Sequence, residues 1–242
     1  MSWPSRRRDA VDGMVAAAME SNMHRMDQLT SDFYERYAAG AALSSEASRS
    51  AMLPFVEAAL ARGASVLDVG SGSGRDVAAM LDLGLDAFGV EPSGALRERA
   101  ALMRPALRDR LCEGMLPELG QPFRERHAKG FDAVVCSAVL MHLSAAELPL
   151  ALGALVAQLR PLTIDDTAHH WPALLVAIPE MDRALLVADR VGDGRRFYTH
   201  DPIELCHQLA AHGLVLERAE VNDAVLASSG TRWHSLVFRR SG

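Results

Sequence analysis

The sequence predicts an α/β protein built on a doubly wound, mostly parallel sheet of seven strands with an antiparallel C-terminal strand. Three observations carry that reading. From residue 64 onward, strand-like apolar runs alternate with helical patterns. The first run, ASVLDV, ends in a turn with glycine at every second position, GSGSG. The last two runs follow one another with no helix between them.

Residues 1 to about 25 mix Arg, Met, Ala and Ser and read as a helical arm or tail. Thr30, Ser31 and Asp32 are cap-forming residues, and the helix they open would run through Phe33, Tyr34 and Tyr37 until Gly40. Ser44, Ser45 and Glu46 predict a second helix over 46–62, ended by Gly63 and bent or divided by Pro54. Strands are expected at 64–69, 86–91, 109–112, 131–136 and 173–178, with helices at 74–83, 93–103 and 145–159. Strands separated by helices of this length form βαβ units, hence a parallel sheet covered on both faces. A helix over 201–212, opened by Asp201-Pro202 and closed by Gly213, leads into strands at 214–221 and 231–240. Two strands without an intervening helix make a hairpin, which adds the antiparallel strand.

At 242 residues the chain is long enough to bury a full core. Its formal charge of −6 argues against a sequence-independent grip on nucleic acid, which needs a basic surface. Cys112, Cys136 and Cys206 are too far apart and too few for a disulfide framework or a metal pair, and read as reduced thiols. Asp9 and Asp12 interrupt the only region resembling an export signal, and no run reaches the roughly 18 apolar residues of a membrane helix. A cytoplasmic protein, as monomer or homodimer, is the expectation, with no membrane and no nucleic-acid partner.

In a doubly wound sheet, ligands bind beyond the carboxyl ends of the strands where strand order reverses. The turn after the first strand is therefore the default site, and its glycines let the backbone approach a ligand. Two ligand classes compete. A dinucleotide site wants G-x-G-x-x-G, whereas Gly70, Gly72 and Gly74 give G-x-G-x-G, with Arg75 where a bare backbone is needed. Glu91, ending the second strand, suits any adenosine ligand with a free ribose diol and does not discriminate.

VLDVGSGSGRD resembles the first motif of the class I S-adenosylmethionine-dependent methyltransferases, an apolar strand followed by (D/E)xGxGxG. FGVEPSGAL, LCEGMLPEL, FDAVVCSAVLMHL and ALVAQLRP are similar to the family's later motifs, in order and at ordinary spacing. The resemblance runs over most of residues 64–240 and implies the Rossmann-like methyltransferase fold, with S-adenosyl-L-methionine as cofactor. It divides the chain into an N-terminal helical arm or lid, 1–62, and a methyltransferase domain, 63–242, with acceptor-side insertions near 163–172 and 189–201. Carried over residue by residue, it gives Asp68 the glycine turn or the methionine ammonium, and Gly70, Ser71 and Gly72 the methionine lining. Arg75 would reach the ligand carboxylate or pair with Asp76. Glu91 would take the ribose hydroxyls. Glu113, Gly114 and Met115 would read the adenine edge beside Pro92 and Leu116. Ser137 and Ala138 would close the site beneath the sulfonium.

The loop after the fourth strand lacks the (D/N)PP(Y/F) of enzymes that methylate nucleic-acid bases. With the acidic charge, this points to a small-molecule acceptor methylated on N, O or S, of the natural-product or detoxification type. Met141-His142 is similar to the apolar–His pair of small-molecule members, so His142 is a candidate base, with a loop hydrogen bond as its plainer reading. Tyr198, in GRRFYTHDP, is a second catalytic candidate. Tyr34, Tyr37, His170 and Trp233 are candidate acceptor contacts. Asp165, Asp166, His169 and His170 invite a metal reading, but neighbouring histidines rarely turn to one ion, and no metal is expected. A nicotinamide-type oxidoreductase and a non-catalytic relative that keeps the cofactor are the alternatives.

Overall fold

The computed structural model describes residues 26–40, 51–166, 171–181, 184, 186–223 and 231–240. Helix α1 (Gln28–Ala39) precedes α2 (Leu53–Ala59). The alternating part follows as β1 (Ser65–Val69), α3 (Arg75–Asp82), β2 (Asp86–Val90), α4 (Gly94–Met103), β3 (Leu111–Cys112) and β4 (Ala133–Ser137). It continues with α5 (Leu148–Val156), β5 (Ala173–Met181), α6 (Pro202–Ala211), β6 (Leu214–Asp223) and β7 (Thr231–Arg240). The seven strands form one sheet in the order β3-β2-β1-β4-β5-β7-β6. The first five are mutually parallel, and β7 runs antiparallel between β5 and β6. The strand order reverses between β1 and β4, so a crevice opens there at the carboxyl ends of both.

The central strands are largely apolar because both faces are covered, with Asp68 of β1 the buried exception. Leu174, Val176 and Ile178 of β5 point to one side, with Leu152 and Leu155 of α5 and Leu205 and Leu209 of α6. Leu175 and Ala177 point to the other, with Phe55 and Val56 of α2 and Val77 and Met80 of α3. Each such buried Val, Leu or Phe contributes about 1.5–3 kcal/mol. The three cysteines are free thiols, and burial pushes the Cys136 thiol far up, which makes it unreactive.

Three helix starts differ from the sequence expectation, among them α5, expected over 145–159 and found at Leu148–Val156. Helix α1 begins three residues early, because Asp27 is its N-cap and accepts a hydrogen bond from the Thr30 N–H. Pro54 neither bends nor divides α2. It sits in the first turn, where its missing N–H costs nothing, and opens the helix. Of the expected span 46–62, residues 46–50 lie outside the described residues.

Candidate functional site

The turn after β1 is shaped by what surrounds it. Gly70, at φ 78°, could not carry a side chain, since a Cβ there would lie 2.3 Å from Val139 Cγ2. The end of β1 therefore touches the loop after β4, across the crevice. The N–H groups of Gly70 and Ser71 are both given to the Val90 carbonyl at the end of β2. Gly72, at φ 55°, faces open space. The Ser71 side chain turns away from the crevice, into the room left by Gly89, where a Cβ would lie 2.6 Å from Ser71 Oγ. Ser71 thus serves the turn through its backbone.

Two carboxylates converge on this turn. Glu91 is 6% exposed and accepts the Gly72 N–H through Oε2 and the Ser93 N–H through Oε1, each at 2.9 Å. Burial raises its pKa, and the two backbone N–H groups pull the other way. Asp68 is 4% exposed, and among the described residues no group donates a hydrogen bond to its carboxylate. Burial raises its pKa well above the usual carboxylate range, and the neighbouring Asp76 and Glu91 add to that, with Arg75 opposing. A buried acid in this state gains most from a cation placed beside it. Arg75 does not fill that role directly. It pairs with Asp76 at 2.9 Å and its side chain is 39% exposed.

A cleft enclosing about 710 Å³ of space, part of it open to solvent, lies over the turn. Its floor is Val69, Gly70, Pro92, Gly114, Met115, Leu116 and Val139, and its far wall is His142, Leu143, Glu147 and Arg196. Met26, Asp27 and Thr30, leading into α1, form its roof. A second cleft of about 790 Å³ shares Met26, Pro92 and Met115 and runs out between Tyr34, Glu35, Ser93 and Glu113. Glu113 stands at its rim, largely exposed, and pairs with Arg97 at 3.1 Å. Ser137 ends β4, and Ala138 follows in the left-handed region at φ 60°, its N–H donated to the Ala177 carbonyl. That strained residue swings Val139 towards Gly70.

His142 is held at both nitrogens. Nδ1 lies 2.7 Å from the Arg196 carbonyl, which can only accept, so Nδ1 carries the proton. Nε2 is then the acceptor, 3.0 Å from the Tyr34 hydroxyl. Burial lowers the His142 pKa, and the nearby Arg195 charge also opposes protonation. The imidazole is neutral, with its lone pair aimed at Tyr34. Tyr34 is held on α1 against Phe33, whose ring also carries the Arg195 guanidinium, 4.3 Å from the ring centre. The roof is pinned further by Ser93 Oγ donating to Glu35 and by the Arg196 N–H donating to Thr30 Oγ1.

The structure therefore gathers Gly70, Pro92, Gly114, Met115 and His142 in one cleft, with Tyr34 against His142 and Asp68, Gly72 and Glu91 beneath. It does not bring the other acceptor candidates there. Tyr37 stacks on Phe33 and is 38% exposed, outside both clefts. Trp233 pairs with Pro179 and Asn222 within the sheet and packs on the core beside α2 and α3. Tyr198 is half-buried and absent from the cleft lining. Its N–H is donated to the Met141 carbonyl. Asp166 is taken by Arg160 and the Thr163 N–H. His169 and His170 lie outside the described residues, among which no three His, Cys, Asp or Glu side chains could hold a metal ion. None of the described helices is long and apolar enough to cross a membrane. Asp27, Thr30, Arg190, Arg195 and Arg196 were not legible as site residues. Asp27 and Arg190 are 163 positions apart, and no spacing in the sequence signals their contact.

A family model described as a methyltransferase domain matches residues 44–219. Among solved structures, the fold is similar to the 1,6-didemethyltoxoflavin-N1-methyltransferase of Burkholderia thailandensis, solved with 1,6-didemethyltoxoflavin and S-adenosylhomocysteine. That match has 18% identity, 100% of this chain, 93% of that one, and TM-score 0.59. It is similar to a TehB-like S-adenosylmethionine-dependent methyltransferase of Corynebacterium glutamicum, with 19% identity, 87% and 98% coverage, and TM-score 0.57. It is also similar to the magnesium protoporphyrin IX methyltransferase of Synechocystis with bound S-adenosylmethionine, at 16% identity, 88% and 78% coverage, and TM-score 0.53. At these identities the likeness is one of fold. No curated protein matches the sequence.

Proposed function

The chain belongs to the methyltransferase-domain family, and from that premise we propose that it transfers a methyl group from S-adenosylmethionine to N, O or S of a small-molecule acceptor. The carrying observation is the pair of buried carboxylates at the glycine turn. Asp68 has no donor among the described residues and sits in a negative field from Asp76 and Glu91. That environment favours a cationic ligand group and repels the doubly charged pyrophosphate of a dinucleotide.

The residues present fit the methyl donor. Asp68 would meet its α-ammonium, and the open space at Gly72 admits its chain close to the backbone. Glu91 keeps acceptor capacity after its two backbone partners, enough for a ribose diol. Pro92, Met115, Leu116 and Val139 provide apolar surface for the adenine. Bound there, S-adenosylmethionine would supply an electrophilic methyl group on a sulfonium for transfer to the acceptor.

His142 takes part through Nε2. When an acceptor N–H, O–H or S–H displaces the Tyr34 hydroxyl, the neutral imidazole receives its proton as the new bond forms. Tyr34, Met26 and Thr30 cover the cleft and exclude water, so positioning and desolvation supply the rest. The test is formation of S-adenosylhomocysteine from S-adenosylmethionine across a library of small acceptors. Acceptor-dependent product is expected, reduced about 10²–10⁴-fold by His142→Ala. Tight cofactor binding with no turnover of any acceptor would contradict an enzymatic role.

A further inference from the structure

Three arginines stand around the acceptor side of the cleft, and two of them are spoken for. Arg190 forms a two-pronged pair with Asp27, at 2.7 and 2.8 Å. Arg195 pairs with Asp193 at 2.7 Å and lies on the Phe33 ring. Arg196 is different. Its guanidinium comes no nearer than 3.5 Å to Asp27, and its side chain is 40% exposed. Asp27 Oδ2 accepts from Arg190, the Thr30 N–H and Thr30 Oγ1, while Oδ1 accepts from Arg190 and meets Arg196 only as this long ion pair. The two Arg190 contacts hold the Asp27 pKa far below the usual range.

The backbone of Arg196 is nonetheless fixed. Its N–H is bound by Thr30 Oγ1 at 2.9 Å, and its carbonyl takes the His142 Nδ1 proton at 2.7 Å. One residue thus orients the imidazole through its main chain and lines the same cleft with a planar cation held, among the described residues, by one long ion pair to Asp27.

We propose that the acceptor carries a carboxylate and that Arg196 binds it in a two-pronged hydrogen bond, placing the acceptor's nucleophile at His142. This rests on the methyl-transfer reading above. A guanidinium fork matches a carboxylate in shape, and the pair gains specificity as well as energy from that match. Arg190 is paired with Asp27 and Arg195 with Asp193, and Glu147 lines the same cleft as Arg196. Each further negative charge on the acceptor is repelled by Glu147, so a monoanion is favoured over a phosphate dianion.

The experiment is calorimetry on the full chain saturated with S-adenosylhomocysteine, using a panel of aromatic and aliphatic carboxylic acids, each paired with its primary amide, and phenyl phosphate. Acids are expected to bind at least about tenfold more tightly than their amides, and Arg196→Gln to abolish that preference while the S-adenosylhomocysteine affinity stays within about twofold. Amides that bind as well as acids, phenyl phosphate that binds more tightly than benzoate, a panel in which nothing binds, or a preference that survives Arg196→Gln each overturn the proposal. The prior titration separates the two readings. If S-adenosylhomocysteine itself does not bind, the methyl-donor reading fails. If it binds and acids show no advantage, only the carboxylate assignment fails.

Discussion

Glu91→Ala removes a carboxylate that joins the glycine turn to the end of β2. In the native arrangement, each carboxylate oxygen takes one backbone N–H, from Gly72 and from Ser93, at 2.9 Å. The residual acceptor capacity is what a ribose diol would use. Losing hydrogen bonds to a charged acceptor costs about 1.5–3 kcal/mol, which is a fall of about 10- to 150-fold in affinity for S-adenosylhomocysteine. Glu91→Gln should fare little better. Its amide must turn an NH₂ towards one of two backbone N–H groups, so donor would face donor. The assay is calorimetric titration of both variants beside the wild type, with a 2′,3′-dideoxy analogue of S-adenosylhomocysteine as the second arm. The loss from Glu91→Ala and the loss from removing the diol should overlap instead of adding, since both delete the same contact. An unchanged affinity in a folded Glu91→Ala protein, or two fully additive losses, would mean the ribose lies elsewhere.

Three further outcomes follow from the same geometry. Asp68 has a raised folded-state pKa, so the ligand-free fold loses stability as pH rises from the ordinary carboxylate value of 3.8 through the raised one. An ammonium beside Asp68 reverses that shift, so S-adenosylhomocysteine binding should release a proton in this window. Equal binding heats in buffers of different ionisation enthalpy would refute it. His142 and His127 both have lowered pKa values, mainly through burial, so their contribution is complete above about 6.5 and is lost as pH falls towards the lowered values. His142→Gln should therefore show a smaller drop in Tm than wild type between about pH 7 and about pH 5, and an equal drop would contradict the buried neutral imidazole. Gly70→Ala must hold a left-handed φ and displace Val139, at a cost of about 2–4 kcal/mol in thermal unfolding, whereas a loss below about 0.5 would show the turn to be loosely packed.

The parallel core was legible because buried strands leave a nearly continuous apolar signature. Residues 173–178 are apolar throughout, 66–69 are broken only by Asp68, and the glycine turn announces the crevice beyond. Helix starts were less legible, since Pro54 reads the same as a break or as a first-turn residue until the preceding chain is placed. The acceptor wall was the least legible. Tyr34 and His142 are 108 positions apart, and the Thr30 hydroxyl meets the Arg196 N–H across 166. No periodicity or spacing encodes such a meeting, which depends on how α1 lies over the sheet. Trp233 and Tyr37 show the converse. Aromatic residues near the carboxyl end of a sheet look like pocket residues, yet one serves the core and the other a surface stack.

The most direct test is a paired calorimetric titration of the purified protein with S-adenosylhomocysteine and with NAD. The acidic, cation-seeking turn requires binding of the first at roughly micromolar Kd and none of the second. Binding of NAD with no response to S-adenosylhomocysteine would contradict it.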